Sequence, residues 1–354
     1  MKKNRNIIII VIVLVIVSIV LVLTQSRTTF KRALSDFAVD DTATVTKIFM
    51  ADKNNNTLTL TRLPNRSWQV NNKYPGMRFN LDMLLQTMLD LQVKEPVAFA
   101  ARNNIIRKLS VSSVKVEIYQ WKYRINIFDW IRLFPHEKLT KVYYVGGATQ
   151  SNRGTFMLME GSSEPFVTFL PGLRGFLSPR YMPIEKYWRD YTIFSKNVHE
   201  IASVKVEFPG TPVLSYMIRN NHDHGFSLIA LFNNQEIGRY DTLKVMNFMT
   251  SFSKIGFEAL LNDIDKHHKD SILASTPYHI ITVTDTNGVS TSVKTYHRAG
   301  NGEVDEKGDP LPYDRDRMFA LVNNGQDFTA VQFLVFDPIT RPITYFLKPP
   351  KKGK

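Results

Sequence analysis

The apolar positions change period along the chain. Ile7 to Leu23 reads IIIIVIVLVIVSIVLVL, with Ser18 its one polar residue. As a helix this run is about 25 Å long, near the lower bound for a bilayer span. No small-x-small cleavage site follows in Val22 to Ser26, so an uncleaved anchor over residues 1–27 is predicted. From Val45 the period falls to two. Val45 to Met50, Thr57 to Thr61 and Ser67 to Val70 read as a strand meander. The period then becomes helical. Leu81, Leu84, Leu85, Met88 and Leu91 form one stripe, with Asn80 as the expected N-cap. Strand patterns resume at Val114 to Tyr119, Tyr123 to Phe128, Val142 to Gly147, Thr155 to Met159 and Phe166 to Leu170.

The second half runs through the same order. Ile201 to Val206, Val213 to Arg219 and Phe226 to Phe232 read as strands. Asp241 opens a stripe of Leu243, Val245, Met246, Met249 and Phe252. Tyr278 to Thr284, Ser290 to Tyr296, Met318 to Val322 and Ala330 to Phe336 follow as strands. Trp68 corresponds to Phe226, and the helix starts correspond at Asp82 and Asp241. The fold class expected is α+β: an N-terminal transmembrane helix, then two similar antiparallel-sheet-plus-helix units made by internal duplication. The predicted boundaries are 1–27 for the anchor, 42–170 for the first unit and 171–200 for a Pro/Gly/aromatic link. The second unit takes 201–338, and 339–354 is a basic tail.

The link is punctuated by Pro171, Gly172, Gly175, Pro179 and Pro183, then carries Tyr187, Trp188, Tyr191 and Phe194. It reads first as an interdomain joint whose rings pack on both sheets. Its sharper reading is a partner surface made by Arg180, Tyr187, Trp188, Arg189 and Tyr191. Three segments carry a likeness to a known family: Trp68-Gln69-Val70, Val142 to Gly147 (VYYVGG), and Trp188 to Phe194 (WRDYTIF) followed by Ile201. With the order of elements around them, they resemble the bacterial domain-of-unknown-function family four-three-four-zero over about Thr42 to Pro338. The resemblance implies an exported, membrane-anchored protein associated with ABC-type transport components of the gliding-motility-related kind. It implies no activity and no site residues.

Composition narrows the chemistry. Without cysteine there is no disulfide, thiolate metal site or cysteine nucleophile. The formal charge is +13, of which Lys2, Lys3 and Arg5 carry three and leave +10. Basic residues nearly tie across the hydrophobic run, with Arg27, Lys31 and Arg32 after it. A short basic tail before a single span behaves as a signal anchor, which places the remainder outside the cytoplasm. There the positive charge faces an anionic envelope and not nucleic acid.

Candidate sites are few. His222-Asp223-His224 has alternate histidines, but Asn220 to Gly225 is rich in turn formers and reads as a hairpin loop. His267-His268-Lys269 reads as the cationic end of a helix. The acidic loop Asn301 to Asp309 lacks the calcium-loop ladder, and Asp314 to Arg317 suggests local ion pairs. The chain contains no G-x-S-x-G, Walker A, G-x-G-x-x-G or H-E-x-x-H motif. No cofactor and no metal are expected. The predicted role is a non-enzymatic accessory or scaffold of a membrane complex at the inner membrane, with an envelope protein, an ABC transporter permease among the choices, as partner. The alternative is an envelope-facing enzyme or binding module for glycan or peptidoglycan.

Overall fold

The computed structural model describes residues 10–18, 35–127 and 131–348. Residues 10–18 are helical and their apolar side chains are exposed. Among the described residues, no helix is long and apolar enough to cross a membrane. The rest of the predicted anchor lies outside the described residues, as do 349–354 of the predicted tail. The chain divides into two units that meet in sequence between Asp190 and Tyr191.

In the first unit, β1 (Val45–Ala51), β2 (Thr57–Arg62), β3 (Trp68–Val70) and β4 (Tyr74–Pro75) form the predicted meander. The Arg78–Asp90 helix, β5 (Gln92–Pro96) and the Phe99–Ser112 helix come next. β6 (Val114–Ile127), β7 (Ile131–Ala148), β8 (Thr155–Met159) and β9 (Phe166–Phe169) complete a sheet ordered β4-β3-β2-β1-β6-β7-β8-β9-β5. All five residues of the predicted stripe, from Leu81 to Leu91, are buried in the core under this sheet. The N-cap is Met77, with no side-chain bond, and not Asn80. Asn80 sits inside the helix and donates to the Tyr187 carbonyl at 2.5 Å. The Phe99–Ser112 helix, absent from the sequence reading, covers the opposite face through Ile105 and Leu109 on Phe156, Leu158 and Val167. Its apolar stripe is too short to stand out from the surrounding polar residues.

The second unit opens with the short β10 (Thr192–Phe194). It continues through β11 (Ile201–Glu207), β12 (Tyr216–Asn220), β13 (Phe226–Ala230), β14 (Gln235–Glu236) and the Thr242–Thr250 helix. After β15 (Ile255–Gly256) and β16 (Ala259–Leu260) comes the Lys266–Ala274 helix. β17 (His279–Asp285), β18 (Ser290–Ala299), β19 (Tyr313–Val322) and β20 (Asp327–Gln332) end the sheet, ordered β14-β13-β12-β11-β17-β18-β19-β20-β16. Position for position this is the strand order of the first sheet. The registers agree as well. Ile118, Ile48, Leu60 and Val70 pair across the first sheet, and Val283, Val204, Ile218 and Leu228 pair across the second. All eight side chains are buried. Trp68 then falls opposite Arg62, as Phe226 falls opposite Asn220. Asp241 is the true N-cap of its helix and accepts from the Leu243 and Lys244 amides at 3.1 and 3.2 Å. Of the predicted second stripe, Val245, Met249 and Phe252 are core residues. Leu243 and Met246 face solvent, and Phe248 takes their place.

Two predicted boundaries need correction. Residues 171–200 are not a separate link. Leu177, Tyr181 and Trp188 are buried in the first core, and Phe194 in the second. Nor is 339–354 a tail from its start, since Ile339, Ile343 and Phe346 are buried in the second core. The two segments do the same work. The Met77 amide donates to the Trp188 carbonyl at 2.7 Å, and the Asp241 amide donates to the Phe346 carbonyl at 2.8 Å. Gly76 bridges Arg189 as Tyr240 bridges Leu347. Each unit is closed by a short segment that follows its last strand and pins the start of its first helix.

Three smaller expectations also fail. Tyr123 to Phe128 is not a separate strand, because β6 runs unbroken from Val114 to Ile127. The strand read to Phe336 ends at Gln332, and Phe333–Phe336 is a helical turn. The strand read from Val213 starts at Tyr216, after a 3-10 turn at Pro212–Leu214.

Candidate binding site

The most distinctive side-chain arrangement lies in the second unit, where β17, β18 and β19 run side by side. His279 faces Thr295 across the β17–β18 ladder. The His279 amide donates to Thr295 Oγ1 at 3.1 Å, and ring Nδ1 shares that hydroxyl at 3.1 Å. Thr295 is fully buried, so it fixes the imidazole. The rings then form a column. Phe208 meets His279 edge-on at 5.1 Å, and Tyr278 lies 3.9 Å from His279. Tyr278 also lies 4.0 Å from His297, and His297 stacks on Tyr313 at 4.1 Å with 19° between planes. A register shift between His297 and Ala299 turns the end of β18 toward Tyr313. Gly300 permits that turn, because a Cβ there would collide with the Leu311 carbonyl.

Electrostatics keep the column neutral. Burial, then the neighbouring His297, lowers the pKa of His279 to about 4. Burial also lowers that of His297. Each neutral imidazole offers one donor and one acceptor. Tyr278 and Tyr313 remain 37% and 50% exposed, so the column has an accessible edge.

His297 and Tyr313 border a cleft of about 670 Å³ whose opposite wall is the Lys266–Ala274 helix. Ile272 and Phe319 give it an apolar floor, while His268, Ser271, Ser275 and Thr276 add polar groups. The nearby cations have acidic partners. Arg298 lies 3.4 Å from the buried Asp314, and Arg317 forks onto Glu258 at 2.7 and 2.9 Å. The first pair joins β18 to β19 and the second joins β19 to the bend before β16, so neither is the local pair expected from Asp314 to Arg317. The cleft therefore combines ring surface, hydroxyls, neutral imidazole and the Arg298 guanidinium, whose charge Asp314 balances. That chemistry suits an uncharged ligand held by stacking and hydrogen bonds.

His267 and His268 occupy the first turn of their helix and not its cationic end. The Asp265 carboxylate caps it by accepting from both backbone amides. His222–His224 is a 3-10 turn between β12 and β13, as the loop reading expected, so the two histidines do not alternate along a strand. In the acidic loop, Asp305 accepts from the Lys307 and Asp309 amides at 2.8 and 3.0 Å. Among the described residues, no group of three His, Cys, Asp or Glu side chains could hold a metal ion.

Two of the five residues of the predicted partner surface, Trp188 and Arg189, are buried. Trp188 is buried and its Nε1 donates to the Met182 carbonyl at 2.7 Å. Arg189 is buried, with its guanidinium 3.4 Å from the Tyr74 ring centroid and 3.7 Å from Glu185. Arg180 donates to the buried Thr87 hydroxyl at 2.7 Å. Tyr191 belongs to the other unit and stacks on Phe257 at 4.5 Å. Tyr187 alone of the five is exposed, at 47%. Their chemistry looked like recognition because closing a core and binding a partner use the same aromatic and Arg residues. The ring column was missed. Its trace in the sequence is the Tyr-His dipeptide at 278–279, which recurs at 296–297 in the neighbouring strand.

No family model, curated protein or solved structure matches this chain. The family resemblance therefore rests on its three segments and the order of elements around them.

Proposed function

We propose that this chain is a non-enzymatic, membrane-anchored envelope protein that acts as an accessory or scaffold through a binding cleft in its second unit. The observation that carries this reading is the neutral Tyr278–His297–Tyr313 column beside an open, hydroxyl-lined cleft. Its chemistry favours a sugar ring, so a glycan of the envelope is the ligand class. The exposed apolar helix at residues 10–18 supports the anchor. The family resemblance is the source of the further idea that the assembled partner is an ABC transporter permease. The two units descend in this reading from one duplicated ancestor, supported by their common strand order and matched registers.

The test is retention of the full-length protein on purified peptidoglycan and on soluble glycan fragments. Tyr313→Ala should weaken retention about tenfold, the loss of one good ring contact and its bonds. Tyr187→Ala should leave it unchanged. Equal retention of the Tyr313 variant would remove the cleft from the reading. A reporter fused at the C-terminus tests the orientation, and cytoplasmic activity of that reporter would overturn it.

A further inference from the structure

The first unit carries an element its own fold does not require. Gln120 pairs with Val45 at the end of the β1–β6 ladder, and Asp285 holds the matching place opposite Ile201. In the second unit the chain turns back at once. The Asp285 amide donates to the Val289 carbonyl at 2.9 Å, and β18 begins at Ser290. In the first unit β6 and β7 continue as a two-stranded arm through Trp121↔Glu137, Tyr123↔Pro135, Ile125↔Leu133 and Ile127↔Ile131. At about 3.4 Å per residue the arm projects roughly 24 Å beyond the sheet. A bulge at its root, where Thr140 donates to the Ile118 carbonyl and Gln120 Oε1, sets it off from the sheet.

Strand alternation sorts the arm into two faces. Trp121, Tyr123, Ile125 and Leu133 share one face, each about 40–50% exposed, and the acidic Glu137 on that face is held at the root by Lys47 at 3.2 Å. Lys122 and Lys138, with Arg124 and His136, lie on the other and, together with the edge of Tyr123 and with Leu139 and Thr140, line a concavity of about 490 Å³. Among the described residues, the buried Nδ1 of His136 has no hydrogen-bond partner. Phe134 stands out from the arm at φ +57° and 64% exposure, a conformation that strains a bulky residue. An isolated two-stranded arm with a row of exposed large apolar groups is marginal in water.

We infer that this arm lies flat in the headgroup layer of an anionic bilayer, its apolar face toward the acyl chains and its basic residues at the level of the phosphates. Charge complementarity selects that occupant. The basic side chains are long enough to reach phosphates from the polar face, as they do on interfacial amphipathic helices. Each Lys or Arg near such a surface strengthens partitioning by roughly fivefold. The inference does not depend on the N-terminal anchor, because the arm and the anchor are read separately.

The absence of cysteine allows single-site labelling of the full-length protein. An environment-sensitive probe is attached at Ile125→Cys, with Asn233→Cys as the control in an exposed loop of the second unit. The labelled protein is mixed with vesicles of phosphatidylcholine alone or containing phosphatidylglycerol. With anionic vesicles, the probe at 125 should shift to the blue and gain protection from iodide, while the probe at 233 stays open to it. The triple variant Lys122→Glu, Arg124→Glu, Lys138→Glu reverses three charges and should weaken the response by well over about a hundredfold in lipid concentration. Circular dichroism establishes that the variant is folded. The milder set with Gln at the same positions should give an intermediate loss.

Equal iodide access at 125 and 233 on anionic vesicles would overturn the inference. So would protection that is independent of lipid charge, or that tracks crosslinking of two arms from separate copies. Flotation with phosphatidylcholine alone reports the anchor. Its absence, together with a blue shift on anionic vesicles, would sink the anchor and leave the arm standing.

Discussion

Arg62 and Asn220 hold the same place in the two units and perform the same task with different chemistry. Arg62 donates to the carbonyls of Thr42 and Val45 at 3.1 and 3.5 Å. Asn220 donates to those of Val198 and Ile201, both at 2.9 Å. Those carbonyls belong to the 3-10 turn and first residue of the leading strand, Thr42–Thr44 before β1 and Val198–Glu200 before β11. The Thr42 and Val198 carbonyls each accept one backbone bond, from the Val45 and Ile201 amides, and the side chain supplies a second donor that ties turn and strand together.

Removing either donor should therefore destabilise its own unit. Arg62→Ala and Asn220→Ala are each expected to cost about 2 kcal/mol. All four tryptophans, at 68, 121, 130 and 188, fall in the first unit. In urea titrations, tryptophan emission should register Arg62→Ala and stay blind to Asn220→Ala, while far-ultraviolet dichroism registers both.

Acid should weaken the second unit first. His279 has a folded pKa of about 4, below its unfolded value near 6.5. The unfolded chain thus binds the extra proton between these values. The stability from keeping the imidazole neutral is complete above pH 6.5 and is lost as pH falls toward 4. The full loss is about 3 kcal/mol. The urea midpoint seen by dichroism should drop over this window, and His279→Asn should flatten the dependence. A wild-type midpoint that stays level from pH 6.5 to 4 would count against the assignment.

A buried hydroxyl offers a gain. Tyr216 is fully buried, its hydroxyl has no hydrogen-bond partner, and desolvation holds its pKa well above the ordinary value. Its ring packs between Phe248 and Phe346. Tyr216→Phe keeps that packing and discards an unmet polar group, so it should stabilise the second unit by about 1 kcal/mol. Calorimetry of the purified protein checks the sign.

Gly300 controls the ring column from a distance. Adding a methyl there forces the Leu311 carbonyl away, and with it the start of β19. Gly300→Ala should separate Tyr313 from His297. The His297 ring protons should then move downfield in NMR spectra as the stacked ring's shielding is lost, and glycan retention should fall as it does in Tyr313→Ala.

How much of this was legible in the sequence follows from range. The Leu81 to Leu91 stripe and the meander strands were readable because their burial is set by neighbours a few residues away. The helix start at Asp241 was readable because a carboxylate there reaches the amides two and three residues on. Asn80 misled because the competing Tyr187 carbonyl lies far along the chain. The ring column needs β17, β18 and β19 in register, which no local pattern encodes. Trp188 and Arg189 looked like a surface because, although Met182 and Glu185 are close in sequence, the Tyr74 ring that covers Arg189 lies far earlier in the chain.

The closing segments also set an order of events during synthesis. Trp188 and Phe346 come after the last strand of their units, so neither core can be sealed until its own final residues have been made. The first unit has every piece it needs once Asp190 exists, before the second sheet has been translated. A chain emerging N-terminus first can thus finish one module while the other is still unmade. This limits the time in which two sheets of identical strand order are both open and able to exchange strands.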